Sequence, residues 1–210
     1  MIIISFNQRR PRRHSSDKRP QSHKRYEELG IVLDVIMPEQ NRRKDKFKDE
    51  PIVIIIGTEW FTILELVPED PNEIMLHDEI VLNKENDSTI KAIIGRIPFD
   101  KLTSFEENQL EKAINIILDK KEKRFVTWLN QASPISIRKH SLHLIKGIGP
   151  KSLEIILNER KIMPFISFED FNERTRIKDI KQLLVNRILD EISNEDEKHH
   201  LFTRPMKRDR

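Results

Sequence analysis

The stretch Leu142-His143-Leu144-Ile145-Lys146-Gly147-Ile148-Gly149-Pro150-Lys151-Ser152-Leu153-Glu154-Ile155-Ile156-Leu157 constrains this chain more tightly than any other. Its spacing predicts a short helix, a tight turn and a second helix. Leu142 and Ile145 stand at i, i+3 on the first helix, and Leu153, Ile156 and Leu157 at i, i+3, i+4 on the second. Between them Gly147 and Gly149 offer φ > 0 with no Cβ penalty. Pro150 falls at the expected first helical position, where the amide it lacks would have no partner anyway. Ile148, flanked by glycines, is expected to turn inward and plug the angle between the helices.

Such a turn has a chemistry. The first turn of the second helix carries unpaired N–H groups and the positive end of the helix dipole, so it suits an anion. Glycine lets a phosphate approach the backbone, and Lys146 and Lys151 add charge at the rim. A seat of this kind holds a nucleic-acid backbone without reading bases. The candidate binding residues are Lys146, Gly147, Ile148, Gly149, Pro150, Lys151 and Ser152. The residues resemble the helix-hairpin-helix family, whose core is a hydrophobic helix followed by Gly-hydrophobic-Gly-Pro-Lys. The plainer reading is an ordinary helix–helix turn that needed two glycines.

Composition narrows the classes. The 210 residues allow one large or two small domains, and 37% hydrophobic against 35% charged residues suits compact units with charged surfaces. There are no cysteines, which excludes disulfides and thiolate metal sites. No apolar run approaches membrane-spanning length, so no membrane partner is expected and the cytoplasm is the expected location. The net charge of +3 hides an asymmetry: residues 1–25 carry eight Lys/Arg against Asp17, a sum of +7, which leaves −4 for the rest. That basic, Pro/Ser/Gln-rich segment reads as a disordered tail, either a counterion-releasing arm on nucleic acid or a solubilising extension.

From Gly30 the pattern turns to strand. Segments at 31–36, 52–56, 60–67, 79–82 and 89–97, separated by turns, suggest a small OB-like β-barrel over 26–100. The loop with Arg42, Arg43, Lys44, Lys46 and Lys48 reads as solvated, with a phosphate track as the other reading. Trp60 and Phe61 are expected to open the third strand, with core packing for at least one of them and base stacking as the other reading. Thr103 or Ser104 supplies a cap, and Glu106-Glu107 suit the first turn of a helix. Bridging helices are expected over 101–133, with Phe125, Val126, Trp128 and Leu129 apolar in the second. Pro134 ends that helix, and Ser136 is expected to cap the helix entering the hairpin. A helix-hairpin-helix unit then spans 134–195. It continues through Pro164-Phe165-Ile166-Ser167, with Ser167 as a cap, into a second, degenerate turn at Arg174-Thr175-Arg176-Ile177. Residues 196–210 read as a charged tail. The expected fold class is α+β.

Over residues 26–195 this order of parts resembles an archaeal family of uncharacterised proteins, domain of unknown function 655. The likeness rests on Phe61-Thr62-Ile63-Leu64-Glu65-Leu66-Val67-Pro68, Arg124-Phe125-Val126, Pro134-Ile135-Ser136-Ile137-Arg138 and the hairpin with its connector. That resemblance implies an OB-like barrel joined to a helix-hairpin-helix, in proteins labelled as candidate nucleic-acid or RNA binders. The label tilts the expectation to RNA over DNA. Similarity to helix-hairpin-helix proteins further implies phosphate contacts from amides around Gly147, Gly149 and Lys151. It also implies a monovalent cation site at the carbonyls of His143, Ile145 and Ile148.

Enzyme readings find little support. Some helix-hairpin-helix proteins are DNA glycosylases with an aspartate downstream, and Asp170 stands there. Their all-helical body is replaced by β-structure, however, and Asp170 follows Ser167 where a first-turn acid serves the helix end. None of the seven histidines makes a metal-site spacing with a carboxylate, and no Walker-type, nucleophile-elbow or dinucleotide motif occurs. No cofactor is expected. The expectation is a non-catalytic nucleic-acid binder, with a protein-interaction module in a ribosome- or replication-associated assembly as the competing class. In a surface patch of Lys146, Lys151, Arg138 and Arg160, positive character would favour the first.

Overall fold

The computed structural model describes residues 27–82, 89–194 and 196–205. The segments 1–25 and 206–210, read as tails, lie outside them. Strands β1 (Leu29–Ile36), β2 (Ile52–Gly57), β3 (Ile63–Pro68), β4 (Glu79–Val81) and β5 (Ile90–Arg96) form one antiparallel sheet in the order β4-β1-β2-β3-β5. Helices α1 (Ser104–Lys120) and α2 (Glu122–Gln131) follow. A two-stranded ribbon of β6 (Pro134–Ser136) and β7 (Lys139–His140) comes next. Then come a 3-10 turn (Ser141–Leu144) and α3 (Pro150–Ile162), α4 (Phe168–Thr175) and α5 (Ile180–Ser193). The α+β class expected from the sequence is the class found.

The sheet is curled because its pairing slips. The β1–β2 register shifts between Val32 and Asp34, and β3–β5 shifts at Glu65/Leu66 and Val67/Pro68. Each irregularity bends the strand and sharpens its twist. Both faces are apolar. One packs Val32, Val53, Ile55, Leu64 and Leu66 under Ile74, Ile80, Leu82 and Ile90. The other presents Ile31, Leu33, Ile52, Ile54 and Ile56 to α1. Burial on both sides explains why β2 reads as an unbroken Ile/Val run instead of an alternation.

α1 starts at a capping box: the Thr103 hydroxyl accepts from the Glu106 amide at 3.3 Å, and the Glu106 carboxylate accepts from the Thr103 amide at 2.6 Å. Leu110, Ala113, Ile114, Ile117 and Leu118 are all buried, and the apolar core continues through Phe125 and Leu129 of α2 to Leu184 and Ile188 of α5.

Two expectations are corrected. Trp60 and Phe61 do not open β3; they belong to the turn before it. The Glu27 carboxylate accepts from the amides of Glu59, Trp60 and Thr62 at 2.9–3.2 Å. Lys121, between α1 and α2, and Arg124 of α2 also bind Thr58 and Glu59. Held this way, Phe61 takes φ 52° and drives its ring toward Phe125, with centroids 6.3 Å apart. It is a core residue, unavailable for base stacking.

Residues 197–204, read as part of a charged tail, are bound to the body. The buried Glu191 carboxylate accepts from the amides of Leu201 (2.8 Å), Phe202 (3.1 Å) and Thr203 (3.0 Å). It also takes the Thr203 hydroxyl at 3.0 Å and the Arg187 guanidinium at 2.8 Å. Phe202 then packs edge-on to Trp128 at 4.7 Å. Composition hid this, because one aromatic and one hydroxyl inside a charged stretch leave no periodic trace.

Glu191 is the keystone of that attachment. Glu191→Ala leaves Arg187 buried without its closest carboxylate and frees four donors, so it is expected to cost ~3–5 kcal/mol. Glu197→Ala, removing an outer carboxylate of the same arginine, costs about 1 kcal/mol. Urea unfolding of both variants measures the difference.

Candidate functional site

The glycine turn lies between the 3-10 turn and α3, and its first limb differs from expectation. In place of an α-helix capped by Ser136, residues Pro134–Ser136 pair with Lys139–His140 as a ribbon, and only Ser141–Leu144 coil, as a 3-10 turn. Leu142 and Ile145 are nevertheless both fully buried. A 3-10 turn repeats every three residues, so i, i+3 spacing cannot separate it from an α-helix. The true cap is His140, whose Nδ1 accepts from the Leu142 amide at 3.1 Å.

The turn itself works through two glycines with different tasks. Gly147 has φ 102°, and a Cβ there would meet the Leu183 methyls of α5 at 3.2–3.3 Å. Gly149 was also expected at positive φ; it has φ −84° and ψ 180°, extended backbone open to any residue. What sets Gly149 apart is its place as N-cap of α3, where a Cβ would meet nothing within 4 Å. Ile148 is buried as the plug, and so is a wall of the turn instead of a ligand contact. Pro150 is the first residue of α3, as expected.

The N-terminus of α3 is open. No side chain caps it, no acid lies in its first turn, and its first backbone bond runs from the Leu153 amide to the Gly149 carbonyl at 2.9 Å. Gly149, Pro150 and Lys151 are exposed, and Ser152 is half-buried. The second limb makes the contrast. α4 is followed by Arg176 in the left-handed region (φ 60°), and α5 is capped by Asp179, whose carboxylate accepts from the Gln182 amide at 3.0 Å. That turn closes its own helix end.

The charges sort themselves. Lys151 and Arg138 are exposed. Lys146 meets Asp190 at 2.8 Å, but its side chain stays 79% exposed, so the pair holds it weakly. Arg160 leaves the expected patch: it donates to the carbonyls of Leu129 (3.1 Å) and Ala132 (2.9 Å) and closes the C-terminus of α2. Arg174 similarly binds the Glu159 and Met163 carbonyls at 2.7 Å below α3. Asp170, the glycosylase candidate, accepts from the Ile166 amide and from Arg174 at 3.0 and 3.2 Å and is structural. In the loop after β1, Arg43 is taken by Asp45 and Glu65, which holds Asp45 down at about 2. Of the carbonyls implied for a cation, that of Ile145 already accepts from the Ile148 amide at 3.1 Å. Among the described residues no group of three His, Asp or Glu side chains is placed to hold a metal.

One signal in the sequence was passed over. From Lys123 through Leu153 the chain has no Asp or Glu, the longest acid-free run in a chain that is 35% charged. It contains Arg138, Lys139, Lys146 and Lys151 and covers both the ribbon and the glycine turn.

Gly147→Ala is expected to destabilise the fold by ~1–3 kcal/mol through its left-handed backbone, whereas Gly149→Ala costs under about 1 kcal/mol. Thermal unfolding compares the two. His140 gives a pH effect. Burial, then Arg160 and His143, push its pKa below 6.5. The folded state disfavours its cation, so stability is complete above about 6.5 and falls as the pH drops below that value. His140→Asn keeps an acceptor for Leu142 without titrating, and is expected to flatten the loss of stability between pH 7.5 and 5.5 in urea titrations.

Comparison with known proteins places the chain. An uncharacterized protein of Methanocaldococcus jannaschii, MJ0038, is 31% identical over 157 residues, 74% of this chain and 72% of that protein. The crystal structure of Af1531 from Archaeoglobus fulgidus matches with a TM-score of 0.77 and 31% identity, covering 85% of this chain and 100% of that one. The model of the family described as protein of unknown function (DUF655) matches residues 26–204, and the chain belongs to that family.

Proposed function

We propose that this chain is a nucleic-acid-binding protein with a binding rather than a catalytic role. It holds a phosphate of the backbone at the open N-terminus of α3. In this reading the curled sheet is an OB-like barrel, and α3, its preceding turn and α4–α5 form a helix-hairpin-helix unit with one working turn. Amides of Gly149, Lys151 and Ser152 receive the phosphate, Lys151 neutralises it, and Lys146 exchanges Asp190 for it. The observation that carries the reading is the difference between two helix ends in one unit. Asp179 caps α5 with its own carboxylate, while α3 is left with a bare, exposed glycine. A glycine cap is slightly less stable than Ser or Asp, by a few tenths of a kcal/mol (about 0.3), and unlike them it leaves the helix amides open to an outside acceptor.

That cost supplies the test. Gly149→Ser and Gly149→Asp are expected to stabilise the fold by only ~0.2–0.5 kcal/mol by capping α3 while lowering affinity for mixed-sequence RNA and DNA oligomers by more than tenfold. Lys151→Gln is expected to lower the slope of log affinity against log salt by about one. Unchanged binding by the capped variants rejects the seat. A protein-docking reading draws on Ile162 at the end of α3 and Ile166 on the α3–α4 connector, 80% and 77% exposed. Replacing both with Ser leaves oligomer binding untouched if the phosphate seat is the working surface.

A further inference from the structure

The β6–β7 ribbon contributes little to the core, and its chemistry is unusual for a solvated loop. Ile137 at its tip is fully exposed, Ile135 is 42% exposed, and Pro134 through Lys139 are all exposed. Arg138 and Lys139 follow Ile137 directly. Neither cation forms an ion pair among the described residues, whereas Lys120, Lys121, Arg124, Arg174, Lys181 and Arg187 all do.

The base of the ribbon is firm. Pro134 pairs with His140, the Ser141 amide donates to the Ser133 carbonyl at 3.1 Å, and His140 is fixed by Leu142. The ribbon therefore presents a bare aliphatic side chain, with two free cations beside it, on a braced stalk. That stalk runs directly into the glycine turn, within one acid-free stretch of chain.

Charge selects the occupant: two cations outside any ion pair among the described residues, in a stretch of chain without acids, call for a polyanion. An aliphatic side chain gains nothing from phosphates, and on a polynucleotide its apolar counterpart is the face of a base. Apolar side chains that enter between base steps unstack them. Resting on the phosphate-binding reading above, we propose that Ile137 is a wedge that enters the base stack beside the strand held at α3, while Arg138 and Lys139 hold the flanking phosphates. The substrate class is then nucleic acid whose stack is already interrupted, at a bulge, a junction or a single-stranded end, because opening costs least there. The closed turn at Asp179 fits this choice, since the unit offers one open helix end and grips one strand.

The test uses the full chain and RNA and DNA duplexes carrying a one-nucleotide bulge with 2-aminopurine beside it. Saturating wild-type protein is expected to raise the fluorescence severalfold, because the base leaves its neighbours and an aliphatic wedge does not quench it. Ile137→Ser is expected to keep affinity within about threefold, since most of the binding free energy comes from phosphate contacts, yet to lose the fluorescence rise. Ile137→Met keeps it. An unmoved thermal midpoint for both variants, expected at a fully exposed position, shows that they are folded. Equal fluorescence from wild type and Ile137→Ser with binding retained overturns the wedge and leaves the phosphate seat standing. A failure of the wild type to bind any of these probes overturns both, and assigns the apolar tip to a protein partner.

Discussion

Everything in the molecule leans on α1. Its apolar stripe is buried on one side by β1 and β2 and on the other by α5, so the sheet and the later helices share a single continuous core. Burial is the dominant favourable term in folding, and a helix buried between two layers ties them to one cooperative event. The glycine turn inherits its position from this arrangement: Leu183 of α5 sits against Gly147, and α5 in turn sits against α1.

What the sequence disclosed and what it concealed follow from the range of the forces involved. Strand positions, the Thr103 and Ser167 caps, Pro150 at the start of α3 and the inward plug of Ile148 are set by local chemistry and were legible. The 3-10 turn at Ser141–Leu144 was not, because its apolar period coincides with a helical one over four residues. Phe61 was misplaced because its backbone is set by Glu27, Lys121 and Arg124, residues up to 63 positions away in sequence. The docking of Phe202 and Thr203 depends on a single buried carboxylate and has no periodic signature. The seven-residue candidate site was legible as a stretch, but its internal division of labour was not: Gly147 bends the chain, Ile148 plugs it, and Gly149 leaves the helix end bare.

The charged residues show the same limit. Sequence reading groups cations by proximity in the chain, whereas structure assigns them by the acceptor each can reach. Arg160 and Arg174 are consumed in closing the C-termini of α2 and α3, an ordinary use for a guanidinium beside unpaired carbonyls. Lys151, Arg138 and Lys139 reach nothing of the kind. Other exposed cations, such as Lys112, Lys161 and Lys178, also lack ion pairs among the described residues, so what sets Arg138, Lys139 and Lys151 apart is the absence of acids between Lys123 and Leu153.

The attachment of Leu201–Thr203 has a bearing on how the molecule is made. Phe202 covers Trp128 and Phe125, and Arg204 donates to the Trp60 carbonyl, so a segment far downstream completes the wall between the sheet and α2. During vectorial synthesis that wall stays open, with the two rings of Phe125 and Trp128 uncovered by Phe202, until these residues have emerged. The core between the sheet and α2 therefore cannot close on the upstream residues alone; it waits for a segment about seventy positions after Trp128 to dock.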